Sequence, residues 1–474
     1  MFTSYLPGPD FTKSFRLITA PFLQESGLPF ANVLTEAQVR EAFADAGVHF
    51  GETSNAVYTP PLTLWAFLAQ ALNAGELRSC TAAAAKVVVL LVALGRKPCS
   101  DNSGEYCRAR AKLPEPIVRQ LTLDVGRRLE AAIPRDWLWH DRHVKLVDGT
   151  TLTMPDTPAN QSAYPQSTSQ EPGLGFPIVR IAILFSLATA AVCGAAMGPY
   201  AGKETGESAL LRQLLPDLEP GDILLGDRYY CSYFLLALAL WNGVDWVTRL
   251  HHRRKANFRR GRCVGKSDHL IEWKRPRRPD WMEEDAYAAI PKTMTVRELK
   301  VRIEEPGFRV EEIVVVTTLL EAERFTTAEI AELYHYRWNV ELDLRAIKSS
   351  LAMDQLRCKT PEMVHAEIWN SWLAYNLTRK TIAQAALVHG KRPREISFAC
   401  ARQAIVASWD RLSIASPEEV RTMAAAQFKA IAAHRVGDRP NRVEPRVVKR
   451  RPKPYKHLRE PRREACAELL RKNC

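Results

Sequence analysis

Residues 332–350 read ELYHYRWNVELDLRAIKSS, and the spacing of four side chains in this stretch organises the reading of the whole chain. At about 100° per residue of helix, Tyr334, Arg337, Glu341 and Lys348 share a sector of roughly 60° on one face. One carboxylate is thereby flanked by two cations and a phenol. A carboxylate holds a hard metal ion, guanidinium and ammonium groups clamp phosphate oxygens, and a phenol donates one further hydrogen bond. Glu, Arg and Lys at such intervals also form ordinary solvated ion pairs on helix surfaces, so spacing alone leaves both readings open. Asp343 falls on the opposite side of the wheel, outside the group.

Two further acids decide between the readings. Asp148 stands in HVKLVDGTTLTMPD, where Val144, Leu146 and Val147 predict a strand with the Asp at its end before Gly149. Asp227 stands in GDILLGDRYYCSYF, where Ile223, Leu224 and Leu225 predict a short buried strand and Tyr229 to Leu240 a helix. Either Asp taken alone also suits a turn or a helix cap. Asp222 precedes its strand and so belongs at the end opposite Asp227; Asp245 neighbours a strand, and Asp156 and Glu204 fall in loops. Three carboxylates converging from two strands and a helix can hold two divalent cations about 4 Å apart, the spacing suited to in-line displacement at phosphorus.

Asp148 in VDGT, Asp227 in LGDRYY and the series Tyr334, Arg337, Glu341, Lys348 together resemble the DDE transposases of bacterial insertion sequences, specifically the insertion-sequence-four family with its YREK signature. The resemblance runs from about Leu62 to about Arg463. It implies an α/β fold: an RNase H-like catalytic core interrupted by a β-rich insertion, with helical N-terminal and C-terminal regions. It implies Asp148, Asp227 and Glu341 as catalytic metal ligands, with two Mg²⁺ ions for which Mn²⁺ substitutes. Tyr334, Arg337 and Lys348 would contact phosphates at the cleaved end. The implied substrate is double-stranded DNA, both the terminal inverted repeats and the target, cut in trans by a homodimer. The implied course is nicking, hairpin closure, hairpin opening and strand joining.

On the same resemblance, residues 1–75 form a helical region binding the DNA end and 76–140 a helical segment leading into the core. The core occupies 141–245 and 326–390, the β-rich insertion 246–325, and a helical region with a basic tail 391–474. Candidate strands of the insertion are Val244 to Leu250, Cys263 to Glu272, Thr293 to Ile303 and Arg309 to Leu319. In relatives a tryptophan of this insertion stacks on a flipped base; Trp273 and Trp281 are the candidates here, although no motif fixes either and each taken alone reads first as a core or surface tryptophan. EMVHAEIWNSWLAYNLTRKTIAQAAL continues as an amphipathic core helix with Ile368, Trp372, Tyr375 and Ile382 on one side.

Charge supports a nucleic-acid partner independently of the motif. The 474 residues carry a formal +13, with a pI near 9.3. From Arg249 to Arg278 twelve Lys and Arg face two acids, and from Arg435 to Arg463 twelve face three. The remainder of the chain is therefore net acidic, and the two blocks carry the excess. Such blocks attract a phosphate backbone in a salt-dependent way. In the first, Arg253 and Arg254 follow His251 and His252, which read as part of a phosphate-facing surface rather than as metal ligands.

Other chemistries find no pattern. There is no G-x4-GK[ST] loop, no G-x-S-x-G elbow and no C-x2-C pair, and the ten cysteines read as reduced thiols. Ala82 to Gly95 is too short to span a membrane and reads as a buried helix, while Ile178 to Met197 reads as buried strands. The N-terminal residues lack a signal pattern. The expected place is the cytoplasm, on the bacterial nucleoid, with no membrane. A structure-specific nuclease without strand transfer and a catalytically inactive DNA-binding relative remain open alternatives.

Overall fold

The computed structural model describes residues 11–53, 56–302, 312–437 and 459–472, which fall into two compact units. The first takes in residues up to 145, 184–194 and 339–437; the second takes in 146–183, 195–338 and the C-terminal residues from 459.

The first unit is helical and is built around Pro361–Val388, a helix of 28 residues. It starts where it does because Thr360 caps Met363 and a proline occupies the first turn, where its missing N–H costs nothing. Ile368, Trp372, Tyr375 and Ile382 are buried as the pattern indicates, but so are Asn370, Asn376, Lys380 and Gln384. The helix is enclosed rather than one-sided, because Glu115–Ala132, Pro60–Leu72, Phe398–Ser413 and Pro417–Ala433 all pack on it. Polar residues that read as a solvent face instead bond backbone groups. Asn376 donates to Thr122 O and Val192 O at 2.9 Å each and accepts from Val192 N at 2.8 Å. Lys380 donates to Phe22 O at 2.7 Å and to Gln384 Oε1 at 2.9 Å. Gly126 permits this close approach, since a Cβ there would meet Val192 O at 2.3 Å.

Helix Cys80–Ala93 corrects the expectation of a buried segment at Ala82 to Gly95. Ala83, Ala84, Val87, Leu90 and Leu91 are covered, but Val89 and Val92 are more than half exposed. An apolar run without alternating polarity does not reveal which side faces solvent. Among the described residues no helix is long and apolar enough to cross a membrane.

Glu130 anchors the end of Glu115–Ala132, taking Lys145 Nζ at 2.5 Å and standing 3.2 Å from His143 Nδ1. Burial alone would raise its pKa, yet Lys145, with further hydrogen bonds from His143 and Ser186, holds it at about 2. A carboxylate depressed in this way stabilises the fold above its ordinary value near 4.5, and the contribution disappears as pH falls toward about 2. Its size is roughly 3 kcal/mol. The urea-unfolding free energies of the protein and a Glu130→Gln variant should therefore converge by most of that amount between about pH 5 and about pH 3. A difference constant over this interval would show that the pair does not form.

The second unit is organised by one sheet. Its strands are β1 (Val144–Thr153), β2 (Ile178–Ser186), β3 (Val192–Pro199), β4 (Ile223–Gly226), β5 (Asp245–Arg249), β6 (Arg262–Gly265), β7 (Asp268–Lys274), β8 (Thr293–Arg302) and β9 (Glu312–Thr317). The order is β3-β2-β1-β4-β5-β9-β8-β7-β6. The first five, with β4 and β5 parallel, are the RNase H-like core. The remaining four extend the same sheet: β9 pairs antiparallel with β5, Thr248 opposite Val316, and β8, β7 and β6 follow antiparallel. Val244 to Leu250, grouped by its sequence with the insertion, supplies the fifth core strand. Ile178 to Met197 forms β2 and β3 as expected, reversing at Ala190, whose φ is 63°.

A buried polar network fastens the extension. Arg297 grips Asp268 with Nε at 2.9 Å and Nη2 at 2.5 Å, and Thr327 Oγ1 donates to the same carboxylate at 2.7 Å. His269 and the Trp273 indole both engage Glu298, at 3.1 and 2.9 Å. Each buried charge is paired, which such burial requires.

Candidate active site

Asp148 and Asp227 reach the centre of the sheet by different routes. Asp148 sits inside β1, not at its end, because the Asp-Gly pair continues the strand through Thr153. Its Oδ1 accepts the Gly149 N–H at 2.8 Å. Asp227 follows β4 directly and caps a short 3-10 turn, accepting Tyr229 N–H at 2.5 Å. β1 and β4 are neighbours, and Gly226 lets them close up: a Cβ there would lie 3.2 Å from Val147 Cγ1. Asp222 lies before β4, accepting from Glu219 N at 3.0 Å.

The electrostatics link these acids. Burial pushes Asp148 up to about 6; Gly149 N–H and Arg337 oppose that rise, while Glu207 and Asp227 add to it. Tyr334, buried, is pushed up to about 12 by burial, with Arg337 and Arg249 opposing and Asp227 reinforcing. Asp148, Asp227, Tyr334 and Arg337 are thus brought together within the second unit. Arg337 is buried there, and its guanidinium also lies 4.4 Å from the Trp338 ring centroid.

Glu341 and Lys348 belong to the first unit. The stretch is not one even helix: Thr327–His335 is α-helical, Tyr336–Trp338 is 3-10, Asn339–Arg345 is α-helical and Ala346–Ser350 is a π turn. Three residues per 3-10 turn overwind the phase and the π turn underwinds it, so the constant angular step does not hold from Tyr334 to Lys348. Glu341 is exposed and Lys348 half-buried. Asp343 is buried away from solvent between Arg379 and Arg394, each at 3.0 Å, in agreement with its opposite phase.

The remaining candidates lie in the sheet extension or beside it. Trp273 is buried with the Arg254 guanidinium 4.0 Å from its ring centroid. Trp281 is half-buried, with Arg212 3.9 Å from its centroid and Phe234 edge-on at 6.1 Å. Arg253 is exposed, as are Lys255, Arg259, Arg260 and Arg262. Most of the basic run from Arg435 to Arg463 lies outside the described residues.

Sequence reading passed over Glu207 and Tyr230. Glu207 opens helix Glu207–Leu214 and Tyr230 ends the turn that Asp227 caps. Tyr230 lies in the same LGDRYY run, which was an available signal; Glu207 stands far from both aspartates in the chain and gave none.

An acid inside β1 and a second directly after the neighbouring β4, with an arginine and a phenol beside them, are groups suited to phosphoryl transfer. The family model for the transposase DDE domain matches residues 139–377, a stretch containing Asp148, Asp227 and Glu341, and the chain belongs to that family. It is a DNA transposase, cleaving DNA and transferring strands. Transposase InsG for insertion sequence element IS4 of Escherichia coli (strain K12) is 28% identical over 353 residues, 73% of this chain and 76% of that protein. The transposase for insertion sequence element IS421 of Escherichia coli is 36% identical over 61 residues, 13% of this chain and 16% of that one. The piggyBac transposase synaptic complex with hairpin DNA superposes with a TM-score of 0.42 at 10% identity, over 88% of this chain and 86% of that one.

Enzymes of this family work with a divalent metal, and the donors present suit one. Asp148 and Asp227, both half-buried, offer oxygen ligands to a hard cation, and the repulsion between them is relieved by positive charge. Among the described residues no three His, Cys, Asp or Glu side chains are gathered around a single ion position.

Proposed function

We propose that this transposase excises its element by cut and paste through a hairpin, with Asp148, Asp227 and Glu341 holding two Mg²⁺ ions for which Mn²⁺ substitutes. The grouping of Asp148, Asp227, Arg337 and Tyr334 carries this reading; Glu341 joins it on the strength of its place in the YREK series. Bound cations would activate the attacking water or 3′ hydroxyl and stabilise the leaving oxygen.

The chain's own groups position the DNA. Arg337 offers a planar fork to a phosphate, and Tyr334, kept protonated by its burial, donates a hydrogen bond. Lys348 adds a point charge. Exposed Arg253, together with the arginines that follow it, tracks the flanking backbone. A flipped base stacks on Trp281 or on Trp273, and for Trp273 the Arg254 guanidinium has to leave the ring face first. Residues 1–75 bind the terminal inverted repeats, two copies assemble on paired ends and cut in trans, and the enzyme works on nucleoid DNA in the cytoplasm. Hairpin, dimer and place rest on the resemblance to the insertion-sequence-four family.

The test is a joining reaction. A pre-cleaved end with a 3′ hydroxyl, incubated with supercoiled plasmid and Mg²⁺, should give joined product that a Glu341→Gln variant fails to make. Nicking of the plasmid without joining would indicate a nuclease instead, and full activity of Glu341→Gln would remove Glu341 from the site.

A further inference from the structure

A third carboxylate and a buried phenol stand beside the aspartate pair. Glu207 lies directly over the backbone that follows Asp148: a Cβ on Gly149 would come within 2.4 Å of Glu207 Cδ and 2.7 Å of its Oε1. The missing side chain at Gly149 is what lets this carboxylate settle there. The charge of Glu207 acts on Asp148, and that of Asp227 acts on Glu207. Arg180 opposes the accumulated negative charge from a distance; its guanidinium donates to Thr205 O at 2.9 Å and lies 4.6 Å from the Tyr200 ring centroid.

Tyr230 supplies the second, independent observation. Its side chain is 1% exposed, and its hydroxyl is directed at the Glu207 carboxylate, a contact short of a well-formed hydrogen bond. The hydroxyl is fixed among acids: Glu207, Asp148 and Asp227 all act on it, Glu207 most strongly. The ring is held by Gly226, where a Cβ would meet Tyr230 Cδ2 at 3.3 Å. The acceptor it faces is Glu207, the carboxylate that acts on it most strongly, so the phenol stands where it can hold that side chain in one orientation beside Asp148.

We propose that Glu207 and Tyr230 form the outer layer of the cation centre, Glu207 strengthening divalent-cation binding by Asp148 and Asp227 without being a direct ligand, and Tyr230 fixing the orientation of Glu207. The proposal rests on the reading of Asp148 and Asp227 as cation ligands. Glu207 and Tyr230 are positioning residues. Supporting groups of this kind orient inner ligands, and their loss costs about 10–100-fold in metal affinity.

Equilibrium Mn²⁺ binding to the full chain without DNA, followed by the electron paramagnetic resonance of the free ion, provides the test. Glu207→Gln should weaken binding by about tenfold or more, and Tyr230→Phe should weaken it by a smaller factor. Gly149→Ala, which pushes the Glu207 carboxylate aside, should reproduce the Glu207→Gln loss. In DNA cleavage, the half-saturating Mn²⁺ concentration of Glu207→Gln should rise by a similar factor while the rate at saturating Mn²⁺ recovers, a split that general loss of structure does not give. Unchanged Mn²⁺ affinity in Glu207→Gln, alongside its loss in Asp148→Asn, would overturn the outer-layer role and leave the aspartate centre intact. Unchanged affinity in Asp148→Asn would overturn the aspartate centre and this proposal with it.

Discussion

Asp148→Asn should abolish DNA cleavage, lowering the rate by on the order of a thousandfold or more, while the cation-free protein melts at or above the temperature of the parent. The two halves of this expectation come from one geometry. Asparagine keeps the size of the side chain and an oxygen for the Gly149 N–H, so β1 retains its local bond. What disappears is a half-buried charge beside Asp227 and Glu207, where partial desolvation and these neighbours raise the Asp148 pKa to about 6. An acid whose pKa rises on folding costs stability once it is ionised, so the cost is present above about pH 6 and fades as pH falls toward the ordinary carboxylate value. The amide removes that cost together with the charge that the proposed cation centre would use, the usual trade between stability and activity. Single-turnover cleavage and a cation-free thermal melt measure the two effects. A variant that cleaves at the parental rate would exclude Asp148 from catalysis, and one that melts far below the parent would show that its role is structural.

Asp343→Ala should be the most destabilising single change considered, by about 3–5 kcal/mol. Asp343 is 1% exposed and accepts from Arg379 Nη2 at 3.0 Å and from Arg394 at 3.0 and 3.2 Å. Arg379 also donates to Tyr375 Oη at 2.9 Å and lies against the Tyr375 and Phe398 rings; Arg394 also donates to Ser186 O at 2.6 Å. Both guanidiniums are held in place by other contacts and would remain with no anion between them. The cost comes chiefly from two stranded cations rather than from lost attraction. Urea unfolding should show the loss as a shift in midpoint with little change in slope. Adding Arg394→Met to Asp343→Ala should recover part of it, since one stranded charge is then gone. Simple additivity of the two losses would show that the groups do not act as a unit.

Asp148, Asp227, Tyr334 and Arg337 could be singled out in the chain because they lie in short runs of chemically distinctive residues, and the second unit brings these four together, while Glu341 and Lys348 belong to the first. The opposite phase of Asp343 was legible because local periodicity fixes which way a side chain points over a few residues, whereas the strands at Ile178 to Met197 followed from their place between the two aspartates in the fold that the resemblance implies. The enclosed character of Pro361–Val388 was not legible. Its asparagines, lysine and glutamine satisfy backbone groups of Phe22, Leu23, Phe67, Thr122 and Val192, partners that lie far away in the chain. Cys80–Ala93 failed in the opposite sense, apolar enough to suggest burial yet leaving Val89 and Val92 in solvent.

By itself the sequence determined the class of enzyme, through short motifs that resemble a known family, and the basic blocks and the place of Asp227 directly after a short strand, which rest on residue identity and local pattern. Tertiary structure decided that β6 to β9 prolong the catalytic sheet through β5 and β9, and that β1 carries Asp148 in its interior. It also decided that Glu207 and Tyr230 stand beside the aspartates. The physical reason is that strand partnership and the convergence of charges depend on contacts between segments distant in the chain, which no local periodicity records.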